Sequence, residues 1–147
     1  RSRWGVNYKK VFVDANIILD LFLKDRPYSE YSKESFFYLQ KNNVELLTSC
    51  DLITTVYYVL RKYNKQKALE NLSYTLDLLY LIPFSNEETQ KAIDLMQEDK
   101  NFKDLEDTLQ YVLAKENECD LILSNDDDFY SPDIKKINTK DFVEKLM

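Results

Sequence analysis

The chain has 147 residues, 44% of them apolar and 31% charged, with one Gly and three Pro, which suits one solvated domain and leaves no flexible linker, repeat or low-complexity tract. Its net charge is −6 and it contains no His, so Ser-His-Asp triads, Cys-His pairs and His-ligated zinc are excluded. Any hydrolytic chemistry must run on carboxylates, hydroxyls, lysine or a metal held by oxygen. The acidity argues against a broad basic grip on nucleic acid, and less against an acidic pocket that takes up metal before a phosphate approaches.

Residues 1–8 carry no initiator Met and are set apart as an N-terminal extension, leaving 9–147 as one domain. The run 10–14 is β-branched and aromatic up to Asp14, the pattern of a strand buried on both faces. Helical spacing follows over 15–23 until Pro27, and again over 30–41 with Phe36, Phe37 and Leu39 to bury. Residues 44–48 are the next strand. Ser49 or Asp51 is placed to cap a helix running to about Tyr63. A helix over 66–79, a strand over 81–84 and helices over 87–98 and 104–118 come next. Leu121-Ile122-Leu123 is a buried strand, 134–137 a last one, and 140–146 a closing helix. Short apolar strands alternating with amphipathic helices predict a parallel sheet covered on both faces. Cys50 and Cys119 form no CxxC pattern and read as reduced, buried thiols. No apolar run reaches spanning length, so no membrane role and a cytoplasmic location are expected.

The aspartates mark the chemistry. Asp14 ends the first strand and Asp126 follows Leu121-Ile122-Leu123, and ligands of open parallel sheets bind outside the carboxyl ends of strands. Asp104 and Asp107, three residues apart, open the helix that leads to the second of these strands. Grouped carboxylates repel, and a divalent ion with hard oxygen ligands, Mg²⁺ or Mn²⁺, relieves that repulsion. Such an ion activates water and steadies charge on a scissile phosphate without His. The plainer accounts are the helix dipole for Asp104, Glu106 and Asp107, and a polar turn for 125–128. That turn is no calcium loop, because Tyr130 stands at a ligand place and the glycine is missing. Asp14 has no evident structural reason to close an apolar strand.

At these residues the sequence resembles a PIN domain, in the toxin-like (VapC-like) bacterial branch, from Val11 to Phe142. Val11-Phe12-Val13-Asp14-Ala15-Asn16-Ile17-Ile18-Leu19-Asp20 is similar to the family's opening strand and Asp-x-Asn. Asp104-Leu105-Glu106-Asp107-Thr108-Leu109-Gln110 resembles its Asp-Phe-Glu-Asp-Ala stretch, and Leu121-Ile122-Leu123-Ser124-Asn125-Asp126-Asp127-Asp128-Phe129 its last motif. The resemblance implies a three-layer α/β/α fold around a central parallel sheet of about five strands. It implies metal-dependent cleavage of RNA, with Asp14, Asp107 and Asp126 as metal-binding catalytic acids and Mg²⁺ or Mn²⁺ as cofactor. Asp104 and Asp128 fall where further acids often stand, and Asn16 would order the loop beside Asp14. One position departs: Thr55 aligns with an acid of the family. Asp51, a turn earlier on that face, either substitutes for it or is only a cap.

The function expected is therefore a ribonuclease, the toxin of a toxin–antitoxin pair, with RNA, an antitoxin protein and a second copy of itself as partners. The alternative is a catalytically weak PIN fold serving as an RNA- or protein-binding regulatory module, which Thr55 and the acidic surface motivate. A haloacid-dehalogenase phosphatase is disfavoured, since Asn16 stands where its second Asp belongs. Tyr57, Tyr58 and Tyr63 are candidates for base stacking, and Lys24, Arg26, Arg61 and Lys62 for phosphate contacts, against a bland reading as rim and solvated surface.

Overall fold

A computed structural model describes residues 8–147; residues 1–7, all but the last of the extension set apart above, lie outside the described residues. Tyr8 itself is 7% exposed and packs into the core, so the fold takes in the residue at which that extension was drawn to end.

The elements are β1 (Lys10–Val13), α1 (Ala15–Phe22), α2 (Ser29–Lys41), β2 (Glu45–Ser49), α3 (Leu52–Leu60), α4 (Lys65–Leu78), β3 (Tyr80–Ile82), α5 (Asn86–Glu98), α6 (Leu105–Glu116), β4 (Leu121–Leu123), β5 (Lys136–Ile137) and α7 (Thr139–Asp141), which runs on into a π-helical turn, Phe142–Leu146. The five strands are all parallel, in the order β3-β2-β1-β4-β5. The chain builds outward from β1 on one side, then returns to pair β4 with its other side, Val13 standing beside Leu123. The order therefore reverses between β1 and β4, which opens a crevice at their carboxyl ends.

The sheet divides the core in two. Val11, Val13, Leu121 and Leu123 pack on one face against α1, α2, α3, α4 and Phe142. Phe12, Leu47 and Ile122 pack on the other against α5 and α6, through Ala92, Leu109, Val112 and Leu113. Alternation along β1 and β4, period two, feeds both layers, which is why these strands read as continuous apolar runs. The result is the three-layer α/β/α architecture expected.

Local chemistry sets the boundaries. With one Gly in the chain, left-handed backbone falls to Asn43 (φ 59°) between α2 and β2 and to Glu118 (φ 58°) after α6. The latter stops α6 at Glu116, before the predicted 118. Tyr63 lies beyond α3, because Asn64 turns the chain and caps α4 through Lys67 N–H at 2.9 Å. The last strand is two residues where four were expected. Asp133, just upstream, is instead tied to Tyr111 and Lys115 of α6. Cys119 is buried, its thiol pushed up to about 12 by desolvation, whereas Cys50 is only half-buried, a correction to its expected burial. Among the described residues no helix is long and apolar enough to cross a membrane.

Candidate active site

Asp14 is the first residue beyond β1 and the N-cap of α1. Its Oδ1 accepts from Ala15 N–H at 2.7 Å, and its Oδ2 accepts from the Ser124 hydroxyl at 2.8 Å. Asp14 therefore does have a local structural role, as a cap, which the sequence did not disclose. It is 6% exposed, and burial raises its carboxyl pKa against the lowering effect of these two donors. Ser124 also accepts from Asp126 N–H at 3.1 Å, so one hydroxyl touches both acid-bearing segments at the crevice. Asp126 Oδ1 in turn accepts from Asp128 N–H at 2.9 Å.

Asp107 sits in the first turn of α6, whose N-cap is Asp104; Asp104 Oδ2 accepts from Asp107 N–H at 2.9 Å. Burial first, and then the charges of Asp104, Asp14, Asp126 and Glu106, push the Asp107 carboxyl up to about 7. Three segments distant in sequence are thus in electrostatic contact.

All three aspartates line one cavity of about 750 Å³. Asp104, Asp128, Asn16 and Thr55 line it too, and so does Asp127. Asp51 does not. It stands at the N-cap position of α3, yet accepts a short bond from the Ser49 hydroxyl rather than capping a helix N–H. Asn16 is exposed and makes no hydrogen bond to Asp14 among the described residues. The ordering expected of Asn16 is provided by Ser124 and Ala15 N–H.

Two groups escaped the sequence reading. Glu106 lines the cavity, and its pKa is raised by burial and then by Asp51, Asp14 and Asp104. In the sequence it was indistinguishable from any acid favoured by a helix dipole. Asp20, 2% exposed, accepts from Arg26 Nε and Ser32 Oγ, both at 2.6 Å, and from the Asn125 amide at 3.1 Å. Arg26, a candidate for phosphate, is therefore committed to Asp20. Of the candidate stacking residues, Tyr58 and Tyr63 are exposed and Tyr57 packs against the core; none of them lines the cavity.

The donor set is carboxylate oxygen, which suits a hard divalent cation, and such a cation would relieve the repulsion that adds to burial in raising Asp107. Among the described residues no three His, Cys, Asp or Glu side chains stand close enough to cage a metal ion. The acids line a common cavity without so close an approach.

Comparison with known proteins gives the family and the fold. The family profile described as PIN domain matches residues 10–128. Ribonuclease VapC1 of Aquifex aeolicus (strain VF5) is 55% identical over 140 residues, 95% of this chain and 97% of that one. Among solved structures, VapBC2 from Rickettsia felis bound to a DNA fragment from its promoter superposes with a TM-score of 0.70 at 19% identity, covering 88% of this chain and 98% of that one. Mycobacterium tuberculosis VapC20, a Sarcin-Ricin loop cleaving toxin, gives 0.66 at 15% identity over 81% and 92% of the two chains. A toxin–antitoxin complex from Klebsiella pneumoniae gives 0.66 at 18% identity over 88% and 97%. The structural likenesses carry the fold, and the profile and the sequence identity carry the family. The chain belongs to the PIN domain family.

Proposed function

We propose that the protein is a ribonuclease that hydrolyses phosphodiester bonds of RNA with a divalent cation, Mg²⁺ or Mn²⁺, and that it is the toxin of a toxin–antitoxin pair. The observation that carries this reading is the convergence of Asp14, Asp107 and Asp126, from three separate segments, on one cavity where Asp107 is pushed up to about 7. The 55% identity to a protein named ribonuclease VapC1 supports the substrate class, and the toxin–antitoxin complex among the structural likenesses supports a protein partner.

Asp14, Asp107 and Asp126 are the residues that would hold the cation. Bound there, it would offset the negative charge of the scissile phosphate and promote ionisation of water. The chain's own groups supply orientation. Ser124 Oγ holds Asp14 Oδ2, Ala15 N–H holds Oδ1, and Asp128 N–H holds Asp126 Oδ1. Those donors fix each carboxylate without satisfying all its lone pairs. Asp104 caps α6 and so sets the angle at which Asp107 faces the cavity. Hydrolysis adds water across the P–O bond: its oxygen joins phosphorus and its proton leaves with the displaced oxygen.

A second reading, a weakly catalytic module that binds RNA or protein, is favoured by one observation: Thr55, not an acid, lines the cavity wall contributed by α3. Incubation of a mixed RNA pool with Mg²⁺, with Mn²⁺ and with EDTA separates the two. Fragments that require the cation support the nuclease. Binding of RNA by folded protein, with no fragments under either metal, supports the module.

A further inference from the structure

We infer that Lys103 is a substrate-positioning residue, which grips an RNA phosphate neighbouring the scissile one; the inference rests on the ribonuclease reading and names one of its binding contacts. Seven acids line the cavity, and Lys103 is the one cation among the lining residues. A polyanion entering such a cleft needs a positive anchor that the carboxylates have not already consumed. Lys103 is exposed and forms no ion pair among the described residues, although Asp104 follows it directly.

Its backbone is pinned on both sides. Phe102 is 5% exposed and packs its ring against Tyr111 and Tyr130, at centroid distances of 5.3 and 4.8 Å. Phe102 N–H donates to Asp99 O at 3.1 Å, and Asn101 N–H to Asp99 Oδ1 at 3.0 Å. On the other side Asp104 is fixed as the α6 cap. Lys103 thus projects from a short segment held between a buried aromatic cluster and the helix that bears Asp107. A long flexible ammonium on a fixed backbone reaches a phosphate a few ångströms from the acids without competing with them for the cation. Lys24, Arg61 and Lys62, the basic residues singled out in the sequence, do not line this cavity.

The test measures binding of a labelled 2′-O-methyl RNA oligonucleotide in Mg²⁺ as a function of salt, for the unaltered protein, Lys103→Gln, Lys103→Arg and, as a control of equal charge change, Lys67→Gln on α4. Lys103→Gln is expected to weaken binding about tenfold, the size of one charged hydrogen bond. It should also flatten the slope of log K against log salt by about 0.7. Lys103→Arg restores both, and Lys67→Gln changes neither. Where the protein cleaves RNA, the Lys103→Gln effect falls on KM and leaves kcat intact. Equal binding and slope for Lys103→Gln and the unaltered protein overturns the assignment, as does an equal loss from Lys67→Gln or an absence of binding altogether. Lys103-dependent binding without any cleavage keeps Lys103 as an RNA-phosphate contact and sinks the ribonuclease reading instead.

Discussion

The side-chain amide of Asn125 donates to the buried carboxylate of Asp20 at 3.1 Å, across 105 residues of chain. The same amide accepts, through Oδ1, from Thr139 N–H at 2.8 Å and from its hydroxyl at 3.0 Å. Asn125 thereby ties the loop after β4 to the end of α1, to Ser32 of α2 and to the start of α7. Asp126, the next residue, faces the cavity from that tethered loop. Within the same network Asp20 also holds Arg26.

Asp20→Ala should destabilise the protein by about 3 kcal/mol, the low end for breaking a buried ion pair, because Arg26 is part-exposed and can turn to water. Urea unfolding measures this. A loss within about 0.5 kcal/mol, the range of an ordinary surface change, would show that the network is dispensable.

On the proposed reading, Asp107 would couple the protein's response to pH to its metal. Its carboxyl moves from 3.8 to about 7 on folding, so between those values the folded state binds more protons than the unfolded chain. The sign follows: in EDTA this group's contribution to stability is present at low pH and is lost as pH rises through that window. Asp107→Asn should flatten the fall. Thermal unfolding in EDTA from about pH 4 to about pH 8 reads it out, and an unchanged slope in the variant would remove Asp107 as the cause. Because a cation and a proton compete for the carboxylate, the metal needed for half-maximal cleavage should drop as pH rises through about 7.

Thr55→Glu returns an acid to the α3 wall. It should lower the Mn²⁺ concentration that supports half-maximal cleavage, and lower the melting temperature in EDTA, because one more charge joins Asp14, Glu106 and Asp107. Metal titrations of cleavage and melting curves give both quantities. A variant needing as much metal as the original would mean that position 55 is no longer near the bound cation.

Ser124→Ala removes the hydroxyl shared by Asp14 and Asp126 N–H. Cleavage should fall about tenfold at neutral pH, as expected from one lost hydrogen bond to a charged group. Asp14, with a donor gone, should also titrate higher, moving the acid limb of the pH–rate profile upward. An unmoved profile would assign Ser124 to the fold alone.

Much of this was legible in the sequence because the informative residues obey short-range rules. The continuous apolar runs of β1 and β4 are what strands buried on both faces require, and Asp14 and Asp126 then follow from strand ends. What stayed hidden depends on tertiary approach. Asp20 looks like the polar side of α1 until Arg26, Ser32 and Asn125 close on it. Glu106 stands beside Asp107 in a run of acids, and only packing shows that it too reaches the cavity. Asn16 looked like the partner of Asp14 because the motif places it nearby, but a buried carboxylate takes the donors that reach it, Ser124 and Ala15 N–H.

The central claim, that Asp14, Asp107 and Asp126 act together in RNA cleavage, is tested most directly by cleavage rates in saturating Mg²⁺ for three variants. These are Asp14→Asn, Asp107→Asn and Asp126→Asn, with Asp77→Asn on exposed α4 as control. Each of the three should lose about a hundredfold or more, a double substitution should lose little beyond a single one, and Asp77→Asn should match the unaltered protein. Folded Asp14→Asn, Asp107→Asn or Asp126→Asn protein that cleaves at the original rate would contradict the account.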